Sequence, residues 1–227
     1  ASPLARFSLI GQTEKYEAMA QEATPLLGEV CLRGEATVWY AKPNAGKTLL
    51  FLHLAIEAIQ QGRLAGSDLY FINADDNSLG IAAKLAILDE FRAHTLVPGQ
   101  KGFKSGDLKE LLLEAARTGT AQGTVVVIDT LKKFTDLMNK KQASDFASVC
   151  RRYVAAGGTL LGLAHVNKKR SEDGKAVYAG TSDILDDFDA GYILDEAGPS
   201  EDQTEKVVVF RQEKARSEEH TSELQSH

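Results

Sequence analysis

The stretch Ala36-Thr37-Val38-Trp39-Tyr40-Ala41-Lys42-Pro43-Asn44-Ala45-Gly46-Lys47-Thr48 decides how the rest of the chain is read. Its first five residues are mostly β-branched or aromatic and predict a strand, with Trp39 in the core. Thr48–Gln61 then carries Leu49, Leu52, Ala55, Ile56 and Ile59 at helical spacing, and Gly62 is placed to end that helix in the left-handed conformation. Between strand and helix lies a loop in the context that phosphate binding requires. Backbone N–H groups of such a loop, with a helix N-terminus behind them, form a nest for the β-phosphate of a nucleotide. Gly46 allows close approach, Lys47 is a point charge for the β- and γ-phosphates, and the Thr48 hydroxyl suits Mg²⁺. The candidate nucleotide-binding segment runs from Ala41 through Leu49. Ala41 stands where such loops usually carry their first glycine, which fits if its backbone is extended. The competing reading is a turn that happens to contain Gly-Lys-Thr.

Outward from this loop the pattern alternates. Short β-rich runs occur at Asp68–Asn73, Thr124–Ile128, Thr159–Ala164, Gly191–Leu194 and Lys206–Phe210, and amphipathic stretches at Leu79–Phe91, Leu108–Ala116 and Ser144–Ala156. The last offers Ser144 as N-cap, a stripe of Phe146, Val149, Tyr153 and Val154, and a stop at Gly157-Gly158. The unbroken run Val125-Val126-Val127-Ile128 predicts a strand buried on both faces, which demands helices on each side of a mainly parallel sheet. The fold class is therefore α/β. Residues 1–25 read as a lead-in, with a helix around Glu14–Glu22 and a turn near Pro25, and residues 26–215 as one domain.

A chain of 227 residues with 43% hydrophobic and 26% charged residues is long enough to bury a full core. No run of 18 apolar residues exists, so no membrane span is expected. Cys31 and Cys150 alone make neither a disulfide framework nor a zinc site, which points to a reduced, cytoplasmic setting. A net charge of −6 argues against a generally basic nucleic-acid binder while leaving local patches open. The chain opens Ala1-Ser2-Pro3 without methionine, so a fragment or processed product is expected. The last twelve residues, Arg216–His227, resemble a translated short-read sequencing adapter and are expected to be non-native, with the natural chain continuing past 215. The competing reading is a genuine polar tail.

Three further polar positions follow apolar runs. Asp129 ends the run Thr124–Ile128, 82 residues after Lys47, and is placed to hold Mg²⁺ at the carboxyl edge of a parallel strand. Asp75 and Asp76 follow Asp68–Asn73; a carboxylate there is suited to polarise the attacking water, with Asp75 first choice and Asp76 second. Either acid alternatively caps the next helix. His165 follows Thr159–Ala164 and reads as a sensor of the γ-phosphate, or as a satisfied core histidine.

Taken in order, Lys47-Thr48, the acidic pair, Val127-Ile128-Asp129-Thr130-Leu131 and His165 resemble the RecA-like P-loop ATPases, especially the RepA/DnaB-type hexameric replicative helicases. The resemblance implies some antiparallel strands on the C-terminal side of the sheet, and catalytic roles for Lys47, Asp75 and His165. Asp75 is shorter than the glutamate usual in that family. Ile128–Phe134 looks like the magnesium strand and first DNA-facing loop, and Tyr178–Ser182 like the close of the second. Lys214-Ala215-Arg216 is similar to a Lys-x-Arg finger inserted into a neighbouring subunit's site, which makes hydrolysis depend on oligomerisation.

Two loops carry basic residues: Lys132, Lys133, Lys140 and Lys141 in one, Lys168, Lys169, Arg170 and Lys175 in the other. In a ring they would line a channel and track single-stranded DNA, with Phe134 and Tyr178 as stacking candidates; otherwise they are solvated surface. The expectation is thus an ATP- and Mg²⁺-dependent motor coupled to DNA translocation in replication. It is expected to be a homo-oligomer, a hexameric ring before a filament. The alternatives are a recombinase or mediator ATPase, and a slowly hydrolysing nucleotide-dependent DNA-binding or loader module. A small-molecule kinase is disfavoured because no arginine-rich lid follows Asp129.

Overall fold

The computed structural model describes residues 2–21, 24–137, 139–166, 186–199 and 206–215. A 3-10 turn at Pro3–Phe7 and α1 (Thr13–Gln21) precede a small antiparallel hairpin of β1 (Pro25–Leu26) and β2 (Gly28–Leu32). The chain then alternates through β3 (Ala36–Ala41), α2 (Lys47–Gln60), β4 (Leu69–Asn73), α3 (Ser78–Glu90) and β5 (His94–Leu96). It continues with α4 (Leu108–Thr118), β6 (Val125–Asp129), α5 (Lys140–Ala155), β7 (Thr159–His165), β8 (Ala190–Pro199) and β9 (Lys206–Ala215). Seven strands form one sheet in the order β5-β4-β6-β7-β3-β8-β9, parallel throughout except for β8 with β9. The α/β expectation and the antiparallel strand at the C-terminal side both hold.

Two-residue alternation explains why the central strands are apolar on both faces. On β3, Val38 and Tyr40 join a cluster with Leu112 of α4 and Phe146, Cys150 and Tyr153 of α5. Trp39 and Ala41 point to the other layer, with Phe51, Leu52 and Ala55 of α2 and Leu26 and Leu27 of the hairpin. β6 divides in the same way, Val126 and Ile128 against Val125 and Val127. Trp39 is core as expected. Its Nε1 donates to the Val30 carbonyl at 2.9 Å, and its ring meets Phe210 edge-on at 5.1 Å.

Several local expectations differ from the structure. Leu49, placed on the buried stripe of α2, is 70% exposed; the buried face is Phe51, Leu52, Ala55 and Ala58, in line with Lys47. Lys47 sets the rotation: Phe51 and Ala55 follow at helical spacing, and Leu49 falls nearly opposite at about 100° per residue. Asn139, not Ser144, caps α5, accepting from the Gln142 N–H at 3.2 Å, so the helix gains a turn and buries Ala143. Asn77, neither Asp75 nor Asp76, caps α3. α3 is not amphipathic: of its residues only Leu88 is buried, while Leu79, Leu85 and Ile87 are exposed. The turn expected near Pro25 is instead the start of the hairpin, which with the three-residue β5 was not foreseen.

Candidate nucleotide-binding site

Strand register assembles the site. It pairs Asn73 with Asp129, Asp129 with Leu163, and Ala41 with His165, so the ends of β4, β6, β7 and β3 share one carboxyl edge. Beyond the strands the Ala74 N–H donates to the Asp129 carbonyl at 2.7 Å, and the Val166 N–H to that of Ala41 at 3.1 Å. A cleft of about 880 Å³ opens there, walled by the loop and by Lys47, Thr48, Asp75, Asp129 and His165.

The loop takes its shape from two left-handed residues, Asn44 (φ 63°) and Gly46 (φ 84°). Asparagine tolerates this region better than most side chains, and glycine has no Cβ to obstruct it. Gly46 is the N-cap of α2, so the first N–H groups of that helix lack intrahelical partners and open onto the cleft. Pro43, Asn44, Gly46, Lys47, Thr48 and Leu49 border the cleft. Ala41, Lys42 and Ala45 do not. Ala41 is an extended, buried strand residue, which removes the objection to its lacking a glycine; Ala45 is buried and closes the turn through its N–H to the Lys42 carbonyl at 3.2 Å.

The polar side chains fall into two linked groups. Thr48 Oγ1 donates to Asp129 Oδ2 at 2.6 Å, with Asp129 only 3% exposed. Lys47 Nζ lies 3.5 Å from His165 Nδ1, and His165 Nε2 lies 3.4 Å from Asp75 Oδ2. An ammonium has no acceptor, so Nδ1 accepts and the Nε2–H donates to Asp75, which fixes the neutral tautomer. Burial lowers the Lys47 pKa, an effect opposed by Asp129 and Asp75 and reinforced by Lys84 and Lys132. Burial also lowers that of His165, aided by the charge of Lys47 and opposed by the hydrogen bond to Asp75. For Asp75 burial acts upward, yet the His165 hydrogen bond with Lys132 and Lys133 outweighs it and holds the carboxyl below its ordinary range. Asp75 is thus a carboxylate facing a neutral imidazole.

Asp76 is committed elsewhere. It accepts from Asn73 Nδ2 at 2.8 Å and forms an ion pair with Lys84 of α3. A divalent ion fits the opposite wall by donor chemistry: Thr48 and Asp129 offer a hydroxyl and a carboxylate, hard oxygens of the kind Mg²⁺ takes alongside phosphates and water. Among the described residues no group of three or more His, Cys, Asp or Glu side chains converges, which leaves phosphates and water to complete such a shell.

The basic positions are divided. Lys132 lines the cleft, and Lys133 Nζ lies 4.0 Å from Asp75 Oδ1, so both stand beside the pocket. Phe134 packs against the core cluster, which leaves it little face for stacking on a base. Lys168, Lys169, Arg170, Lys175, Tyr178 to Ser182, and Arg216 lie outside the described residues. Lys214, on edge strand β9, donates from Nζ to the Asp186 carbonyl at 2.5 Å and does not border the cleft of its own chain. Lys84 also lines the cleft and was not foreseen: it stands in the middle of α3, eight residues after Asp76, and only the fold turns it inward.

No helix among the described residues is long and apolar enough to cross a membrane. Among curated proteins, none matches the chain. A solved helicase ATPase domain superposes with a TM-score of 0.57 at 13% identity, covering 95% of this chain and 92% of that one. In all, 595 solved chains match, so the fold by itself selects no substrate beyond the nucleotide. The AAA-domain family AAA_25 matches residues 3–171. The chain belongs to that family, and is an ATPase domain with the RecA-like P-loop fold of the RepA/DnaB type.

Proposed function

We propose that this domain is a Mg²⁺-dependent ATPase motor that couples hydrolysis to binding and translocation on single-stranded DNA as a homo-oligomer, a hexameric ring before a filament. The observation that carries the reading is the convergence of Lys47, the Thr48–Asp129 pair and the Asp75–His165 pair on one cleft. The loop N–H groups and Lys47 hold the β- and γ-phosphates. Thr48 and Asp129 hold Mg²⁺, which when bound neutralises charge on the phosphates. Asp75, kept ionised by its surroundings, accepts a hydrogen bond from the attacking water and takes its proton. His165 joins Asp75 to Lys47, so loss of the γ-phosphate beside Lys47 is felt at the end of β7, where the chain leaves towards Lys168, Lys169 and Arg170. Lys214 and Arg216 are assigned to a neighbouring subunit's site, a role supported by the distance of β9 from its own cleft in the strand order.

Steady-state ATPase activity with and without single-stranded DNA tests this. The expected result is Mg²⁺-dependent turnover strongly stimulated by DNA; turnover indifferent to DNA overturns the motor. A second reading, a slow nucleotide-dependent loader, draws on Asp75 itself, a short side chain already engaged by His165 and Lys133. Nucleotide binding without turnover would favour it.

A further inference from the structure

We propose that Lys132 is a cation supplied within the same subunit to the terminal phosphate of the bound nucleotide, and not a contact to DNA. The inference rests on the ATPase reading of the cleft and deepens it.

Four lysines surround the acidic groups of this cleft, and three are accounted for. Lys47 belongs to the loop, Lys84 is paired with Asp76, and Lys133 lies 4.0 Å from Asp75. Lys132 lines the cleft and makes no hydrogen bond or ion pair among the described residues. It is close enough to Lys47, Asp75 and His165 for its charge to act on all three. Those three groups border the place of a terminal phosphate, because Lys47 grips it from one side and Asp75 addresses the water on the other. A cation near all of them is therefore near the γ-phosphate, where negative charge is concentrated and hydrolysis adds more.

The backbone beneath Lys132 is firmly held, so this placement is not a matter of loop drift. Thr130 Oγ1 donates to the Leu163 carbonyl at 2.8 Å. The N–H groups of Lys133, Phe134 and Thr135 donate to the Thr130 and Leu131 carbonyls at 2.9–3.2 Å. Leu131 is fully buried against Gly162, where the absence of a Cβ makes room for it. The turn thus starts one residue after Asp129 and is pinned to β7, with Lys132 the side chain directed to the cleft. An ammonium there would distinguish a triphosphate from a diphosphate by charge, and would give a subunit partial hydrolytic competence before any neighbour docks.

The test uses the full chain and its Lys132→Gln and Lys132→Arg variants, with Lys109→Gln, exposed on α4, as a control expected to behave as wild type. Equilibrium binding of ADP and of a non-hydrolysable ATP analogue is measured with DNA-free turnover and single-stranded DNA affinity. Lys132→Gln is expected to weaken the ATP analogue about tenfold relative to ADP and to lower DNA-free turnover by about 10²-fold, as loss of one charge-stabilising donor does, with Lys132→Arg restoring both. Unchanged selectivity and turnover, or a loss confined to DNA affinity, overturns the proposal. A wild-type chain that binds no nucleotide would instead remove the ATPase reading beneath it, and normal thermal unfolding of the variants separates these results from misfolding.

Discussion

Gly162→Ala puts the link between packing and chemistry under strain at a single atom. A Cβ at this position in β7 would lie 2.6 Å from Cδ1, 2.8 Å from Cγ and 2.9 Å from Cδ2 of Leu131. All three distances are shorter than packed carbon atoms allow, so Leu131 must move. Overpacking of a close-fitted core costs about 1–3 kcal/mol, whereas replacing glycine returns about 0.4–1 kcal/mol by restricting the unfolded chain. Overpacking wins, for a net loss of about 1–2 kcal/mol, or roughly 2–8 °C in melting temperature for a chain of this size. Leu131 carries the turn that follows Asp129, so ATP turnover should fall as well. Combining Gly162→Ala with Leu131→Ala should cost less than the two single changes summed, because the new methyl enters space the leucine vacates. Urea unfolding of the four proteins, with steady-state ATPase rates, measures both effects. Strict additivity, or a Gly162→Ala protein as stable and active as wild type, would refute the reasoning.

Lys47→Ala should abolish nucleotide binding or turnover, measured by equilibrium binding and ATPase rate; an unaffected rate removes the phosphate-loop assignment. Asp75→Asn should slow turnover by about 10²–10⁴ with little change in nucleotide affinity. Because the Asp75 carboxyl is held below its usual range, the wild-type rate should persist to lower pH than an ordinary aspartate would allow, and an acid limb above that range would count against Asp75. Glu35 responds to pH in the opposite sense: burial and the nearby charge of Asp189 raise its pKa from 4.5 to about 7. The folded state therefore holds this proton more tightly than the unfolded state, and stability falls as pH rises from about 4.5 to 7. Glu35→Gln should stabilise the protein by about 1–3 kcal/mol at pH 8.5, after allowance for partial exposure, and by little near pH 4. Equal gains at both pH values in urea unfolding would sink that assignment.

The sequence made the site's frame readable where one physical cause acted alone. Val125–Ile128 admits only a doubly buried strand, and an acid at its end must then lie on the carboxyl edge with Lys47. The loop was legible because Gly46, Lys47 and Thr48 have distinct tasks at fixed spacing. The caps were not, because Asn77 and Asp76, or Asn139 and Ser144, are interchangeable by type and are chosen only by where packing starts the helix. Leu49 was misplaced because helical spacing gives a stripe without saying which way Lys47 turns it. The positions of Lys84 and Lys132 depend on the third dimension: a surface lysine and a cleft lysine look alike until the neighbouring strands are in place.

α3 is thirteen residues long, yet it is seated on the body by one fully buried side chain, Leu88, and tethered at the cleft by the Lys84–Asp76 ion pair. A rod held so lightly along its length and clipped near one end behaves as a lever. Little apolar area resists its swing, so a modest change in what Lys84 grips would be amplified into a displacement of the exposed Leu79, Leu85 and Ile87 at the molecular surface.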